Sequence, residues 1–345
     1  MKAYISSAIA IFSFLFCTTI SPAHAQTADP PEDPPIGILL AAGDISTCGN
    51  YKWHRYADRT AELIRKVVEK AQSDQPSVPV RVLALGDLAY DQGTVPELAC
   101  FAKRWNGFDD ILRPVPGNHD YKAPGAEPYF EHFAGNKFVQ QNGEQKGYFT
   151  ENFPREDGPW LLIGLNSHIR KSAKAGQLKW LETQLGDASP CVLAFWHAPT
   201  FSSGRHGHGY KTEPNAPLTN KKPMHDALRA LYKHGASVVL AGHDHDYEQF
   251  KRHDADGNEA KDDGIRSFVV GTGGSLLTED HYSNTWPISE GLYGKTKLGK
   301  GNQGVLKIVL YERRYEWDFL SIDDTKTLHL KTKKDDCITR KTPQP

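Results

Sequence analysis

The chain has 345 residues, with 41 lysines and arginines against 42 aspartates and glutamates, so its formal net charge is −1. This balance gives no bulk electrostatic attraction to nucleic acid or to an anionic membrane surface, and we expect neither as a partner. No feature of the composition indicates an obligate protein partner.

The first 25 residues have the features of a secretory signal peptide. Lys2 provides a positive start, Ile5 to Ile20 is an apolar run, and Ala23-His24-Ala25 is a small-x-small cleavage site. A buried N-terminal helix is the alternative interpretation. We expect cleavage after residue 25 and an exported protein, either periplasmic or secreted.

Residues 26–35 are rich in proline and are expected to form a stiff leader. Residues 36–345 are expected to form a single domain, which is large for one core but within the range of α/β sandwiches. No stretch after the leader is long and apolar enough to span a bilayer.

The domain is predicted to begin with a β-α-β unit. Ile36–Ala42 is an apolar run that predicts a strand. From Trp53 to Ser73, apolar residues recur at helical spacing beside charged ones, which predicts an amphipathic helix on a sheet. Val80–Leu85 predicts a buried strand, and Glu97–Leu112 is expected to form the next helix.

The rest of the chain continues this mixture of strands and helices. Helices are predicted at Gly176–Leu185 and at Lys222–His234, where Gly235 is a natural stop. Strands are predicted at Tyr148–Phe153, Trp160–Leu165, Cys191–Trp196, Ser237–Ala241, Ser267–Val270, Val305–Tyr311 and Tyr315–Ile322. The first two of these strands are expected to pair, since a turn-rich segment joins them.

Four cysteines remain after removal of the signal peptide, namely Cys48, Cys100, Cys191 and Cys337. An even number in an exported protein indicates disulfides, with three possible pairings. We favour Cys48 with Cys100, because each follows a loop with candidate metal ligands, and Cys191 with Cys337, which would join the tail to a core strand. No Cys-x-x-Cys spacing indicates a zinc–thiolate site.

Five predicted strands end in polar residues, most of them after a glycine. These ends are Gly43-Asp44, Gly86-Asp87-x-x-Tyr90, Gly117-Asn118-His119-Asp120, Trp196-His197 and Gly242-His243-Asp244-His245. Loops at one edge of a parallel or mixed sheet can converge, so these side chains can meet although they lie far apart in sequence. Any one motif alone could be structural, and Gly-Asp often marks only a turn.

The donor set is too large for one tetrahedral zinc ion and suits two metals that share a bridging carboxylate. The potential ligands among these residues are two aspartates, a tyrosine, an asparagine and three histidines. The His-x-His spacing supports two metals: residues two apart in extended chain are separated by about 6.6 Å, so each imidazole can reach its own ion.

The motifs together resemble the calcineurin-like metallophosphoesterase superfamily. The tyrosine in Gly86-Asp87-x-x-Tyr90, and Ser46 in place of a histidine two residues after Asp44, resemble its purple acid phosphatase branch. The resemblance extends from about Leu39 to Gly274, and further matches are His197-Ala198-Pro199, Gln177-x-x-Trp180-Leu181 and Gly242 to Glu248. It implies an α/β (α+β) fold: a four-layer sandwich of two mixed β-sheets flanked by helices, with residues 36–345 as the catalytic domain.

The resemblance also implies a ligand set. The first metal would take Asp44, Tyr90 and His245, the second Asn118, His197 and His243, and Asp87 would bridge them. Carboxylates and a phenolate are hard anionic ligands and suit Fe(III). Neutral amide and imidazole ligands suit a divalent ion, with Fe, Zn and Mn left open.

By the same resemblance, two metals would activate a water that attacks phosphorus, and His119 would protonate the leaving oxygen. Asp120 is expected to orient His119, and Asp244 and Asp246 to fix the tautomers of the neighbouring imidazoles. Arg205, His206 and His208 lie in a glycine-rich loop and are expected to bind substrate phosphate; a solvated loop is the alternative. Asn166-Ser167-His168 is expected to be structural.

The function that this resemblance implies is hydrolysis of phosphate monoesters by a metal-activated hydroxide, in an acid phosphatase-like enzyme that acts on a small phosphorylated substrate. The alternative enzyme is a phosphodiesterase or nucleotide phosphohydrolase on the same metal core. A hypothesis of another class is a metal-free binding protein with the same fold, although every ligand position holds a competent residue.

Overall fold

A computed structural model describes Met1 and residues 33–47, 55–143, 145–186, 191–204, 224–278, 289–293, 303–323 and 333–338. Pro34–Pro345 forms one compact unit, and Met1–Asp33 forms another, of which only the two end residues are described. The predicted signal peptide and most of the predicted leader lie outside the described residues, and both stay predictions.

Fifteen strands and five α-helices are found in the described part of the chain. The strands are β1 (Gly37–Ala42), β2 (Ser46–Thr47), β3 (Val80–Ala84), β4 (Ala89–Tyr90), β5 (Leu112–Pro114), β6 (Phe149–Phe153), β7 (Trp160–Gly164), β8 (Cys191–Phe195), β9 (Val238–Ala241), β10 (Tyr247–Phe250), β11 (Arg266–Val270), β12 (Ser289–Tyr293), β13 (Gly304–Leu310), β14 (Arg314–Ser321) and β15 (Lys333–Asp336). The helices are α1 (Arg55–Asp74), α2 (Val95–Arg104), α3 (Glu127–His132), α4 (Lys171–Gly186) and α5 (His225–Lys233).

The strands form two large mixed sheets and one small one. One sheet has the order β15-β14-β13-β1-β3-β5, and the other has the order β12-β10-β11-β9-β8-β7-β6. Each large sheet contains a parallel core, which is β1-β3-β5 in the first sheet and β7-β8-β9-β11 in the second. β2 and β4 pair in parallel as a short ribbon beside these sheets.

The core of the domain lies in three layers between four layers of secondary structure. Along β1, Leu39 and Ala41 face the apolar cluster between the sheets, whereas Leu40 and Ala42 face the cluster that also contains residues of α1, α2 and α3. Alternate residues of β7, β8 and β9 pack instead against α4 and α5. This period of two on strands that are buried on both faces confirms the predicted sandwich of two mixed sheets flanked by helices.

The predicted secondary structure differs from the observed one at the end of α2, in the short elements β2, β4 and α3, and in three further strands. The helix predicted at Glu97–Leu112 ends at Arg104, and Leu112–Pro114 is strand β5, which pairs with β3. Gly107, between them, has a φ of 82°, a backbone conformation that does not continue a helix. Strands β10, β12 and β15 were not predicted, since their sequences carry charged or polar residues in place of an apolar run.

The carboxyl ends of the parallel strands meet where the two sheets approach each other. The amide of Gly43, after β1, donates to the carbonyl of Val270 at the end of β11, at 2.8 Å. The amide of His243, after β9, donates to Asp44 Oδ2 at 2.7 Å. These bonds between sheets bring the loops that follow β1, β3, β5, β8 and β9 to one place.

A disulfide joins Cys191 at the start of β8 to Cys337 just after β15, with a Cα–Cα distance of 5.4 Å. It therefore links the two large sheets, and the predicted pairing of these cysteines is confirmed. Cys100, in α2, is also disulfide-bonded, but Cys48 lies outside the described residues, so the Cys48–Cys100 pair stays a prediction. No helix in the described ranges has the length and apolar character needed to cross a membrane.

Candidate metal centre

The side chains of Asp44, Tyr90 and His245 converge on one point. The Tyr90 hydroxyl lies 2.7 Å from Asp44 Oδ1 and 3.1 Å from His245 Nε2, and these last two atoms are 3.3 Å apart. The same hydroxyl is 3.0 Å from Asp87 Oδ2. One phenolic proton can serve only one acceptor, so a cation fits this group of oxygen and nitrogen atoms better than a proton does.

A second group forms around His197, which is fully buried. His197 Nε2 lies 3.0 Å from Asn118 Oδ1, 3.2 Å from His243 Nδ1 and 3.2 Å from Asp87 Oδ2. The donor atoms of Asp87, His197 and His243 all lie within 4.8 Å of one another. An amide oxygen, a carboxylate and two imidazole nitrogens in this arrangement are suitable ligands for a divalent transition metal.

Asp87 connects the two groups through a single atom. Its Oδ2 is the atom that approaches both the Tyr90 hydroxyl and His197 Nε2, while its Oδ1 accepts a 2.7 Å hydrogen bond from the His119 amide. Burial alone raises the pKa of this carboxyl, but His197 and His119 lower it well below its usual range. Asp87 is therefore an anion at the position predicted for the bridging ligand.

Two backbone carbonyls orient the imidazoles. His197 Nδ1 donates to the Leu85 carbonyl at 2.9 Å, and His245 Nδ1 donates to the Leu276 carbonyl at 2.7 Å. In each ring the Nε2 atom then faces the site and can bind a metal when it is deprotonated. Asp244 and Asp246 were predicted to fix the neighbouring imidazoles, and that prediction is corrected for His245, which the Leu276 carbonyl orients.

The charges of the site make proton and metal compete for the same atoms. Burial by itself lowers the pKa of His197, but the carboxylates of Asp87 and Asp44 raise it to about 9. Burial and the same two carboxylates raise the pKa of Tyr90 well above its ordinary value. Without a cation Tyr90 therefore stays protonated, and its phenolate can form only when positive charge offsets Asp44 and Asp87.

Three of the converging residues adopt a backbone conformation that is rare outside glycine. Asp44, Asp87 and His243 have φ angles of 60°, 50° and 74°. Such left-handed conformations cost free energy and are concentrated at functional sites. Gly117 permits the close approach of Asp87, because a Cβ there would lie 2.1 Å from Asp87 Oδ1.

His119 stands at the edge of the site. Its Nδ1 donates to the Asp91 carbonyl at 2.8 Å, and its Nε2 lies 4.0 Å from Asp87 Oδ2. Its ring centroid is 4.1 Å from that of Tyr90. The Nε2 atom thus faces the site and can exchange a proton with a bound group there.

The prediction that Asp120 orients His119 is wrong, because the Asp91 carbonyl has that position. The buried Asp120 carboxylate instead accepts hydrogen bonds from the amides of Leu88, at 3.2 Å, and Gly117, at 2.8 Å. It therefore ties the loop that carries Asp87 to the loop that carries Asn118. Burial and the charge of Asp87 raise the pKa of Asp120 to about 7.

Asp244 shares a serine hydroxyl with Glu248. The Ser202 hydroxyl lies 2.5 Å from Asp244 Oδ2 and 2.6 Å from Glu248 Oε1. The Ser203 amide donates to both Glu248 oxygens, at 2.9 and 2.8 Å. These bonds tie the segment after β8 to the segment that carries His243 and His245. Asp246 is buried beside them.

The three residues predicted to bind substrate phosphate, Arg205, His206 and His208, lie outside the described residues. All seven predicted ligands and His119 lie within the described ranges and come together as set out above.

The model of the calcineurin-like phosphoesterase family matches residues 39–247, more than half of the chain. The chain belongs to the calcineurin-like phosphoesterase family. The predicted resemblance to this superfamily is therefore confirmed. Phosphoesterases are hydrolases. The candidate ligands described above are of kinds that bind metals.

The relatives of this calcineurin-like phosphoesterase include purple acid phosphatases, which confirms the predicted branch. Purple acid phosphatase 22 of Arabidopsis thaliana is 23% identical over 266 residues, which cover 70% of this chain and 54% of that protein. The chain spans between 25% and 54% of the length of the curated relatives it matches.

Solved structures share the fold of this phosphoesterase. A purple acid phosphatase from yellow lupin (Lupinus luteus) seeds matches with a TM-score of 0.67 and 16% identity, over 87% of this chain and 53% of that one. A dimetal phosphatase from Danio rerio matches with a TM-score of 0.52 and 13% identity, over 89% of this chain and 100% of that one.

Proposed function

We propose that this phosphoesterase is a dinuclear-metal phosphomonoesterase of the purple acid phosphatase type. The observation that carries the proposal is the position of Asp87 Oδ2, 3.0 Å from the Tyr90 hydroxyl and 3.2 Å from His197 Nε2. One carboxylate oxygen between a phenol and an imidazole suits a bridge between two metals. The solved fold relative from Danio rerio is described as a dimetal phosphatase.

The two halves of the site favour different metals. Asp44, Asp87 and Tyr90 would hold Fe(III), because hard anionic oxygens suit a trivalent ion, and His245 would complete this half. Asn118, His197 and His243 would hold a divalent ion, which is Fe, Zn or Mn. When bound, two such ions would offset the charge of a phosphoester and supply a water acidic enough to act as a nucleophile near neutral pH.

The protein side chains would then position the ester and supply a proton to its leaving oxygen. His119 Nε2 would donate a proton to the leaving oxygen, while the Asp91 carbonyl holds the other ring nitrogen. Arg205, His206 and His208 would bind the phosphate oxygens by charge-assisted hydrogen bonds. The proposal includes export after removal of residues 1–25, with a small phosphorylated substrate and no nucleic-acid, membrane or obligate protein partner.

One purified sample tests the function. Metal content and the hydrolysis of 4-nitrophenyl phosphate and bis(4-nitrophenyl) phosphate are measured side by side. We expect two metals per chain and a higher kcat/KM for the monoester. A higher kcat/KM for the diester would favour the phosphodiesterase alternative. Less than one transition metal per chain, with neither ester hydrolysed, would overturn both.

A further inference from the structure

A cavity of about 720 Å³ opens at the carboxyl end of β7, on the sheet that also carries His197. The loop after β7, the first turns of α4 and the start of α5 form its walls. His168 lies on the wall nearest the metal centre, with its ring centroid 5.7 Å from that of His197. The cavity is therefore a neighbour of the candidate metal centre and none of its walls includes a predicted ligand.

The loop that carries His168 is held rigidly. Asn166 is fully buried, and its side-chain amide donates to the Tyr121 hydroxyl at 2.9 Å and to the Lys146 carbonyl at 2.8 Å. Gln177 accepts from the Asn166 amide at 2.9 Å and donates to its carbonyl at 3.1 Å. A loop fixed in this way can present a side chain to a ligand without loss of further conformational freedom.

Ser167 contacts one ring nitrogen of His168. The Ser167 hydroxyl oxygen accepts a 3.1 Å bond from the Ala198 amide and lies 3.1 Å from His168 Nδ1. A serine hydroxyl can donate to Nδ1 or accept from it, and either bond orients the ring and leaves Nε2 as the nitrogen for a ligand.

Positive charge is concentrated at the start of α4. Lys171 and Lys174 line the cavity, and Arg170 precedes them. The first turn of α4 contains no acidic residue, although the amino end of a helix favours anions and disfavours cations. None of these three cations forms an ion pair within the described ranges, and Asp226 is the carboxylate among the lining residues there. The surplus charge is a feature that a bound anion would neutralise.

We propose that this cavity is a subsite for a second phosphate group of the substrate, held by His168, Lys171 and Lys174. The inference rests on the proposed function, since it requires one phosphate at the metal centre while the other occupies the cavity. Lysine ammonium groups and an imidazole N–H donor together suit a phosphate dianion. The preferred substrates would then be small molecules that carry two phosphate groups.

The test compares glucose 1,6-bisphosphate with glucose 6-phosphate and glucose 1-phosphate, using the full-length metal-loaded protein. We expect a KM for the bisphosphate about tenfold lower than for either monophosphate. In Lys171→Ala/Lys174→Ala this ratio should fall to about one. The control Lys103→Ala/Lys179→Ala removes two exposed charges that do not line the cavity and should leave the ratio unchanged. An unchanged ratio in the first variant, or an equal fall in both, would overturn the subsite.

His168 has its own comparison. His168→Ala removes the N–H donor and should raise the KM for the bisphosphate more than that for the monophosphates, while His168→Asn, which retains an N–H, should recover part of the difference. Hydrolysis of 4-nitrophenyl phosphate separates the two proposals: if no ester is hydrolysed, the proposed function fails. Titration calorimetry with glucose 1,6-bisphosphate then still tests the subsite, because equal affinity of the wild type and the lysine variant would refute it.

Discussion

Tyr90 is the residue on which the nature of one metal depends. Its hydroxyl lies among Asp44, Asp87 and His245, and the two carboxylates raise its pKa. A trivalent cation in this position would stabilise the phenolate and absorb visible light through phenolate-to-iron charge transfer. We therefore expect a coloured protein in which Tyr90→Phe bleaches the visible band, measured by absorption together with metal content.

The control for this variant is Tyr129→Phe, a buried tyrosine outside the site, which should keep the colour. A colourless wild type with two metals and full activity would instead indicate a pair of divalent ions.

His119 should matter most when the leaving group is poor. An aryl oxide leaves without a proton, whereas an alkoxide needs one. For His119→Ala we expect kcat to fall about 10²-fold or more with an alkyl phosphate and by a smaller factor with 4-nitrophenyl phosphate, with metal content retained. Steady-state kinetics on both esters measure this. Equal losses on the two esters would contradict the general-acid role, and His234→Ala serves as a control outside the site.

The sequence predicted which side chains would converge, because each follows a recognisable strand end. Side chains that act through them were predicted poorly. Asp120 and Asp244 alternate with ligands in the sequence, but their partners are decided by which backbone amides and hydroxyls the fold brings near them. The same holds for Ser202 and Glu248, since no local pattern indicates that residues so far apart will meet.

At the scale of elements, the loops after β3 and β5 must approach closely. In Gly117→Ala, the new Cβ would lie 2.1 Å from Asp87 Oδ1 and 2.4 Å from the Asp87 amide nitrogen. We expect Asp87 to be displaced, with loss of bound metal and activity, measured by metal analysis. Gly176→Ala, in α4 with no neighbour within 4 Å of its Cβ, should retain metal and gain about 0.5–1 kcal/mol of stability. Retained metal in the first variant would contradict this explanation.

Glu248 joins the segment after β8 to β10 and should make folding stability depend on pH. Burial and the charge of Asp244 raise its pKa from 4.5 to about 7. A raised carboxyl pKa in the folded state means that the contribution of Glu248 to stability is greatest below about pH 4.5 and falls as pH rises towards 7. We expect the fall in free energy of unfolding between pH 5 and pH 8 to be smaller in Glu248→Gln, measured by urea denaturation.

Glu182→Gln, an exposed change in α4, is the control and should follow the wild type across this range. A fall in Glu248→Gln as large as in the wild type would show that another group is responsible.

Element positions were predictable where apolar runs are long, as for β1, β3, β8 and β9. The end of α2 was not, because Leu112–Pro114 belongs to a strand only through its pairing with β3. β15 carries the sequence Lys-Lys-Asp-Asp and becomes a strand because β14 offers it a free edge. Pairing of this kind depends on the neighbouring strand in the folded sheet, so the local sequence does not indicate it.

At the scale of the molecule, the Cys191–Cys337 bond closes a loop of 146 residues across both sheets. A disulfide stabilises mainly by restricting the unfolded chain, and one that closes a loop of this length contributes about 2–5 kcal/mol. We expect Cys191→Ser/Cys337→Ser to lose about this much in free energy of unfolding, measured by urea denaturation at neutral pH. Metal content should be retained, because neither cysteine contacts a ligand in the described ranges.

The single variant Cys337→Ser breaks the same bond and should lose a similar free energy of unfolding. Equal losses would show that the bond, and not the Cys191 side chain, provides the stability. A denaturation midpoint equal to that of the wild type in both variants would contradict the stabilising role.

The proposed ligands are divided between the two sheets: Asp44, Asp87 and Asn118 follow strands of one, and His197 and His243 follow strands of the other. No metal pair can be held until the second sheet has formed and packed on the first, because the unfolded chain has no assembled site. Selection among competing ions is therefore made wherever folding finishes. The identity of the bound ions would then depend on which metals are available in that compartment, and not on those available where the chain is synthesised.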